Sequence, residues 1–558
     1  MNVTVKNRPI QKRRQVQKRT AAPARIETAP VEIRLREVYL LGLTLLTAAA
    51  YFAYSFASDG FYQHDEASHF MNMRGFWHDP SSVLGNWAKP GYKLLYALPS
   101  LGGQTAVLIT NCLVAALCCY VAYKLAEALG CKAPLFSFAF LAFQPFWIQL
   151  SFRNYSEIPS ALLLLLAIYA HYRDKRLIAA LVLSYTATIR QEFYPLLLLY
   201  GAFLAYRKQF VPAAALLLFP FLNNLWGWGA TGDPLYLWHT TVATSGRYQD
   251  AYPRQGFDHY FKTSIVVFGA AALTFLVVYA GQVINRAQRL HLFVVAPLAV
   301  YFLEHCVFSL QAISIGPSTG GNLRYMLVIA PLVAVLAGLA ADRLAEMKSR
   351  TRLLYVLIPF VLAVALFMDH GNNNLMLTEE VSLLPLLMVL ITMAGALFVS
   401  RKSLLLVFVF LCATGFTLST VRPFQRSPED AVMAEVVAWA KQQGLDEHPL
   451  LVNHPMFYYF FGRSQWDFPE GASNITETTL QDAPPETVVI WDSHYSYRPR
   501  LKEGQVRASY FLERQQEFRP LLRPVIVRSG RHILFELLVM EKIAPQEGAT
   551  PSDNSPAD

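Results

Sequence analysis

Residues 38–57 read VYLLGLTLLTAAAYFAYSFA and residues 58–66 read SDGFYQHDE. The first stretch is apolar throughout, and as a helix it would be about 30 Å long, the thickness of a bilayer's hydrocarbon core. The second is polar, continues to Gly103, and sets Asp65 and Glu66 side by side just beyond the expected span. Charged groups so close to lipid are costly unless they are used. Backbone dipoles and partial burial there can raise a carboxyl towards the range of a general base. The bland reading is an acidic turn that fixes the loop.

The composition places the rest of the chain in the same setting. Of 558 residues, 54% are hydrophobic and 16% charged, and the mean hydropathy is +0.30. That is too apolar for one soluble core and too long for one domain. Apolar runs recur at Val38 to Ala57, Gln104 to Tyr123, Ala133 to Leu150, Ile158 to Tyr172, Leu177 to Ile189, Pro195 to Tyr206, Phe210 to Trp226, Ile265 to Ile284, His291 to Leu310, Tyr325 to Ala341, Leu353 to Met368, Val381 to Val399 and Leu404 to Val421. They predict about thirteen spans.

Lysine and arginine collect in the tail before Val38 and in connectors such as Arg173 to Arg176, Arg207-Lys208, Lys348 to Arg352 and Arg401-Lys402. Each connector follows an even number of spans, so the positive-inside rule makes them cytoplasmic. The net charge of +9 is then a topology signal, and nucleic acid is not expected as a partner. The basic tail is long and no small-residue cleavage site follows the first run, which reads as a retained anchor rather than a signal peptide. The expectation is a polytopic α-helical membrane protein of the bacterial inner membrane, working on its extracytoplasmic face. Its segments would be a disordered cytoplasmic tail (1–37), a transmembrane bundle (38–421), a small extracytoplasmic α/β domain (422–545) and a disordered end (546–558).

The last two follow from a change of pattern after Val421. Ser427-Pro428-Glu429-Asp430 is a helix start with a capping hydroxyl, a first-turn proline and acids at the positive dipole end, and Gly444 stops that helix. Strand-like runs at Leu450 to Asn453, Thr487 to Trp491, Pro524 to Arg528 and His532 to Leu537 accompany a helical stretch at Ser509 to Glu517. Six cysteines lie in or beside spans, with neither disulfide nor metal-type spacing.

The outer loops carry the chemistry-bearing residues. Glu157 is a second acid, at the start of a span, where a dipole-favoured carboxylate is the plain alternative. Lys89, Arg153, Arg190 and Arg324 sit at outer span boundaries, where they could grip a phosphate or simply anchor the interface. Arg190-Gln191-Glu192 could be a self-paired charge couple. His64 and Tyr325 flank the acids and cations. Trp226, Trp228, Tyr236 and Trp238 could line a sugar or lipid site, or form an interface belt. No nucleotide-binding glycine loop occurs, which fits transfer from an already activated lipid phosphate better than use of a cytoplasmic nucleotide.

The order of these motifs is Asp65-Glu66, Lys89-Pro90, Arg153-x-Tyr155-x-x-Glu157-x-Pro159, and Arg324-Tyr325-x-Leu327 with Pro331 and Gly338. It resembles the GT-C class of polyprenyl-phosphate-sugar-dependent membrane glycosyltransferases, which includes protein O-mannosyltransferases and lipid A aminoarabinose transferases. The resemblance covers roughly Val38 to Ala341. It implies that Asp65 is the acceptor-activating base with Glu66 in support, that Glu157 is the second acidic site residue, and that Lys89 and Arg324 hold the donor phosphate. Gly91-Tyr92 after the Lys-Pro pair, and Glu rather than Asp at 157, depart from the commoner pattern. The expected reaction moves a sugar from a polyprenyl-phosphate donor to a lipid, glycan or protein hydroxyl by a single inverting displacement. No cofactor is required, although Asp65 and Glu157 could share a divalent metal. Two other classes compete: a transporter or flippase, for which Glu304-His305 is the candidate ionisable pair, and a receptor or assembly factor built on the outer domain.

Overall fold

The computed structural model describes residues 30–85, 89–248, 254–310, 320–347, 349–368, 383–468, 472–498 and 505–544. The expected tail 546–558, most of the basic tail, and Trp87-Ala88 of the Lys-Pro motif lie outside them. The chain forms two compact units, one ending at Leu43 and one running from Thr44. All packing described below lies within the second.

Every expected apolar run carries helix. In chain order the helices are α1 (Pro30–Ser55), α2 (Asp65–Gly75), α3 (Pro90–Leu101), α4 (Gly103–Ala128), α5 (Leu135–Ala142), α6 (Pro145–Leu150), α7 (Glu157–Tyr172), α8 (Arg176–Thr186), α9 (Tyr194–Tyr206), α10 (Phe210–Ala215), α11 (Leu218–Thr231), α12 (Tyr236–Tyr248), α13 (His259–Ile284), α14 (Leu292–Phe308), α15 (Ala330–Leu344), α16 (Ser349–Met368), α17 (Leu384–Phe398) and α18 (Lys402–Thr420). Among the described residues, five segments are long and apolar enough to cross a membrane: Leu35–Ser55, α4, Phe210–Thr231, α13 and α18. α7, α8, α14, Thr351–Leu366 and α17 are apolar but shorter.

The third expected run is not one helix but two. Pro145 lacks an N–H and pushes Gln144 into an extended conformation (φ −69°, ψ 129°), which ends α5 and restarts the chain as α6. Backbone carbonyls freed in an apolar region must find donors elsewhere. Tyr51 Oη donates to Ala142 O at 3.0 Å and Thr417 Oγ1 to Phe143 O at 2.6 Å, while Gln144 Nε2 donates to Ala330 O at 3.2 Å. α13 bends beside this break at Gly269, whose φ of +76° suits only glycine and where a Cβ would meet Pro145 Cδ at 2.9 Å.

α15 is the innermost helix, buried on nearly every side and packed on α5 and α13. Past its C-terminal end, Lys402 Nζ reaches Asp342 at 2.6 Å and Glu346 at 3.1 Å, and Lys132 Nζ also reaches Glu346 at 3.1 Å. Basic connectors read as cytoplasmic thus meet at one end of α15. The 3₁₀ turn Leu323–Val328, which carries Arg324, lies at the other end, about 22 Å away by helix rise.

After Thr420 the pattern is α/β, with α19 (Pro428–Gln442), α20 (Pro455–Phe461), α21 (Glu477–Asp482) and α22 (Ser509–Glu513). β1 (Leu450–Val452), β2 (Val488–Asp492), β3 (Phe518–Pro520), β4 (Val525–Ser529) and β5 (His532–Lys542) form one sheet in the order β1-β2-β5-β3, with β4 also paired to β5. β1 and β2 run parallel; every pairing with β5 is antiparallel. Ser427 caps α19 through the Asp430 N–H as expected, and Gly444 follows with φ +65°. This segment rests on the first loop: Gly60 N–H donates to Phe424 O at 3.0 Å and Arg74 pairs with Asp467 at 3.3 Å.

A Cβ at Gly338 would stand 2.0 Å from Ser137 Oγ and 2.9 Å from Ser137 N, because α15 and α5 touch through their backbones there. Gly338→Ala is therefore expected to lower stability by about 1–3 kcal/mol, read as an earlier thermal unfolding midpoint of the detergent-solubilised protein.

Candidate active site

Asp65 and Glu66 are the first two residues of α2, where the helix dipole favours negative charge. They turn in different directions. Asp65 Oδ2 lies 2.9 Å from Arg324 and its side chain is 31% exposed. Glu66 is buried: its Oε1 accepts from Tyr62 N–H at 2.9 Å, and its Oε2 lies 3.5 Å from Arg153 Nη1. Arg153 also donates to Gly60 O at 2.7 Å and stacks on Phe152 and Phe424. Glu66 and Arg153 therefore serve each other and hold the loop; Asp65 faces outward.

Glu157, the first residue of α7, is completely buried. Its Oε1 lies 2.6 Å from Arg190 Nη1 and 3.3 Å from Arg324 Nε. Arg190 reaches Glu192 at 2.5 Å with its other terminal nitrogen. The expected self-paired couple exists, but it is the end of a longer chain, Glu192–Arg190–Glu157–Arg324–Asp65. The two guanidinium groups lie over tyrosine rings, Arg324 at 4.4 Å from Tyr155 and Arg190 at 4.8 Å from Tyr325. Within this chain, Glu157 Oε2, Arg190 Nε and Arg324 Nη1 are buried without a hydrogen-bond partner among the described residues.

Lys89 joins through a serine that sequence reasoning passed over. Its ammonium donates to Ser156 Oγ at 2.9 Å, and Arg190 Nη1 approaches the same oxygen at 3.4 Å. Lys89 takes a left-handed backbone, φ +58°, immediately before Pro90. Desolvation pulls its ammonium down to about 8, against the pull of Glu157 and together with the push of Arg190 and Arg324. Two more groups were missed. His69 and Lys93 are buried against each other under the loop, their nitrogens 2.5 Å apart, and burial lowers both pKa values. An isolated His and Lys on one amphipathic stretch give no sequence signal for such a pair.

His305 stands beside this network, its Nε2 without a hydrogen-bond partner among the described residues. Its Nε2 is 4.0 Å from Glu192 and its ring centroid 5.4 Å from that of Tyr325. Trp228 and Trp238 are largely exposed, and Tyr236 is buried against Gly227. Residues 311–319, which precede the turn that carries Arg324, lie outside the described residues. As for a metal shared by Asp65 and Glu157, the Arg324 guanidinium contacts both carboxylates, Asp65 at 2.9 Å and Glu157 at 3.3 Å.

The roles separate by stability. Glu157→Gln leaves two buried guanidiniums with half their compensating charge and is expected to cost roughly 3–5 kcal/mol. Asp65→Asn, at a partly solvated pair, should cost less than about 1 kcal/mol. Thermal unfolding of the two variants in one detergent checks the difference.

No family model matches the chain, and no curated protein sequence matches it. Its fold does match solved structures. The crystal structure of ArnT from Cupriavidus metallidurans bound to undecaprenyl phosphate aligns over 92% of this chain and 98% of its own, with TM-score 0.58 and 13% identity. The apo structure of the same protein aligns over 91% and 98%, with TM-score 0.57 and 12% identity. At that identity the likeness is one of fold, and the chain has the fold of ArnT.

Proposed function

We propose that this chain is a membrane glycosyltransferase that moves a sugar from a polyprenyl-phosphate donor to an acceptor hydroxyl on the extracytoplasmic face. The observation that carries this reading is a solvent-reachable carboxylate, Asp65, held by an arginine, Arg324, that keeps one buried N–H free for an anion. A fold shared with a protein crystallised with undecaprenyl phosphate supports a donor of that kind.

In this mechanism the acceptor hydroxyl hands its proton to Asp65 while its oxygen attacks the anomeric carbon. The bond from that carbon to the phosphate oxygen breaks from the opposite face, so configuration inverts. The leaving phosphate keeps the electron pair, and Lys89 and Arg324 stabilise its growing charge. Glu157 orients Arg190 and Arg324 without touching substrate, and Glu66 does the same for Arg153. Arg190 and Tyr325 close the sugar-facing side, with Glu192 and His305 behind them. The bundle is residues 38–421, and residues 422–545 cap the outer face, a placement supported by the contacts of Gly60 and Arg74 with that segment.

Purified protein given labelled polyprenyl-phosphate sugars and a mixed acceptor extract tests the reading. Asp65→Asn should lower turnover by about 10²–10⁴-fold while donor binding persists; unchanged turnover removes Asp65 from the chemistry, and no turnover in the wild type with any donor removes the reaction class. Lys89 adds a pH signature. Its depressed pKa means it is charged below about 8 and neutral above, so kcat/KM for the donor should fall as pH rises through about 8, and Lys89→Met should abolish that limb.

A further inference from the structure

His64 has no task in the transfer mechanism, yet it is the residue before Asp65 and it meets three groups from the C-terminal segment. Glu429 stands in the first turn of α19, His454 precedes α20, and His494 sits in the turn after β2. Glu429 Oε1 lies 2.9 Å from His454 Nε2, 2.7 Å from His494 Nδ1 and 3.8 Å from His64 Nδ1. One ligand atom from each of the four side chains falls within 4.8 Å of all the others.

The surrounding bonds say which nitrogen of each ring is available. His64 Nε2 stands 2.9 Å from Asp430 Oδ1, which leaves Nδ1 as the nitrogen on the side of Glu429, beside Tyr495 Oη at 3.1 Å. A carboxylate behind the far nitrogen of a histidine is the arrangement that orients metal-bound imidazoles. His494 presents Nδ1 inward, with a side chain 46% exposed that can carry its proton on Nε2 in solvent. Asp492 shapes that turn by accepting the N–H groups of His494 at 2.9 Å and Tyr495 at 2.6 Å. His454 differs: its Nδ1 accepts the Met456 N–H at 3.2 Å, so Nε2 keeps its proton and donates to Glu429.

We propose that His64 Nδ1, His494 Nδ1 and Glu429 Oε1 bind a divalent transition-metal ion of the zinc class, with His454 and Asp430 as the groups that orient Glu429 and His64. Two imidazoles and one carboxylate suit zinc with a water in the fourth position, and a nitrogen-rich donor set disfavours magnesium and calcium. The ion ties the loop at the head of α2 to the α/β segment and so sets where Asp65 stands. It is a different site from any metal held by Asp65 and Glu157, and it does not depend on the transfer reading.

The test uses the tag-free full chain in detergent, stripped with chelator and then titrated with zinc and with cobalt. Wild type should bind about one equivalent of zinc per chain, and its cobalt form should show the visible bands of a low-coordinate site. His494→Ala should weaken binding at least about tenfold. His494→Cys should restore it and add a sulfur-to-cobalt charge-transfer band, which a merely structural role of the turn cannot produce. The proposal is overturned if wild type shows no saturable binding at micromolar zinc, if His494→Ala binds as tightly as wild type, or if His494→Cys binds cobalt without the sulfur band.

Discussion

A carboxylate with no access to water, shared by two arginines, organises one end of this bundle. Glu157 could not stay charged at zero exposure without Arg190 and Arg324, and each arginine meets a second acid beyond it, Glu192 and Asp65. The three come from chain segments far apart in sequence: the start of α7, the link before α9 and the 3₁₀ turn before α15. Their mutual need fixes where those segments end relative to one another. A charge network of this kind is an inefficient source of stability compared with apolar packing, so its worth lies in the geometry it enforces. Of the three acids in this network Asp65 has the most exposed side chain, and it stands on the far side of a guanidinium that also meets Glu157.

The apolar framework meets an equivalent constraint with neutral groups. The break between α5 and α6 would leave carbonyls bare in a region without water, and Tyr51 and Thr417 cover them from α1 and α18. α13 bends at Gly269 against the proline that causes the break. Each irregularity is matched by a side chain on a neighbour, which is why bent helices can stand in the interior of the bundle.

Much of this was legible in the sequence because lipid imposes a simple rule. Long apolar runs had to be helices, and the residues that punctuate them had to be either anchors or site. Asp65, Glu157, Lys89, Arg190 and Arg324 were all visible as charges at run boundaries, and the helix start at Ser427 was visible from local chemistry. What sequence could not supply was pairing. Glu66 and Arg153 looked like a base's helper and a phosphate grip, yet each is occupied by the other. His305, named with Glu304 for the transport alternative, stands 4.0 Å from Glu192, a neighbour that its place in the sequence does not give. The cluster of His64 with Glu429, His454 and His494 brings together residues hundreds of positions apart, each unremarkable alone. The third run read as continuous because a single proline is a weak signal in a membrane helix.

Lys89 occupies a backbone well that costs an ordinary residue on the order of 1 kcal/mol or more, and glycine would sit there without strain. A long charged side chain thus stands at a position where the backbone alone would favour glycine. Among relatives that had abandoned the reaction, this is where a reversion to glycine or asparagine should surface first. The identity of one loop residue would then tell working members of a lineage from those that keep only the architecture.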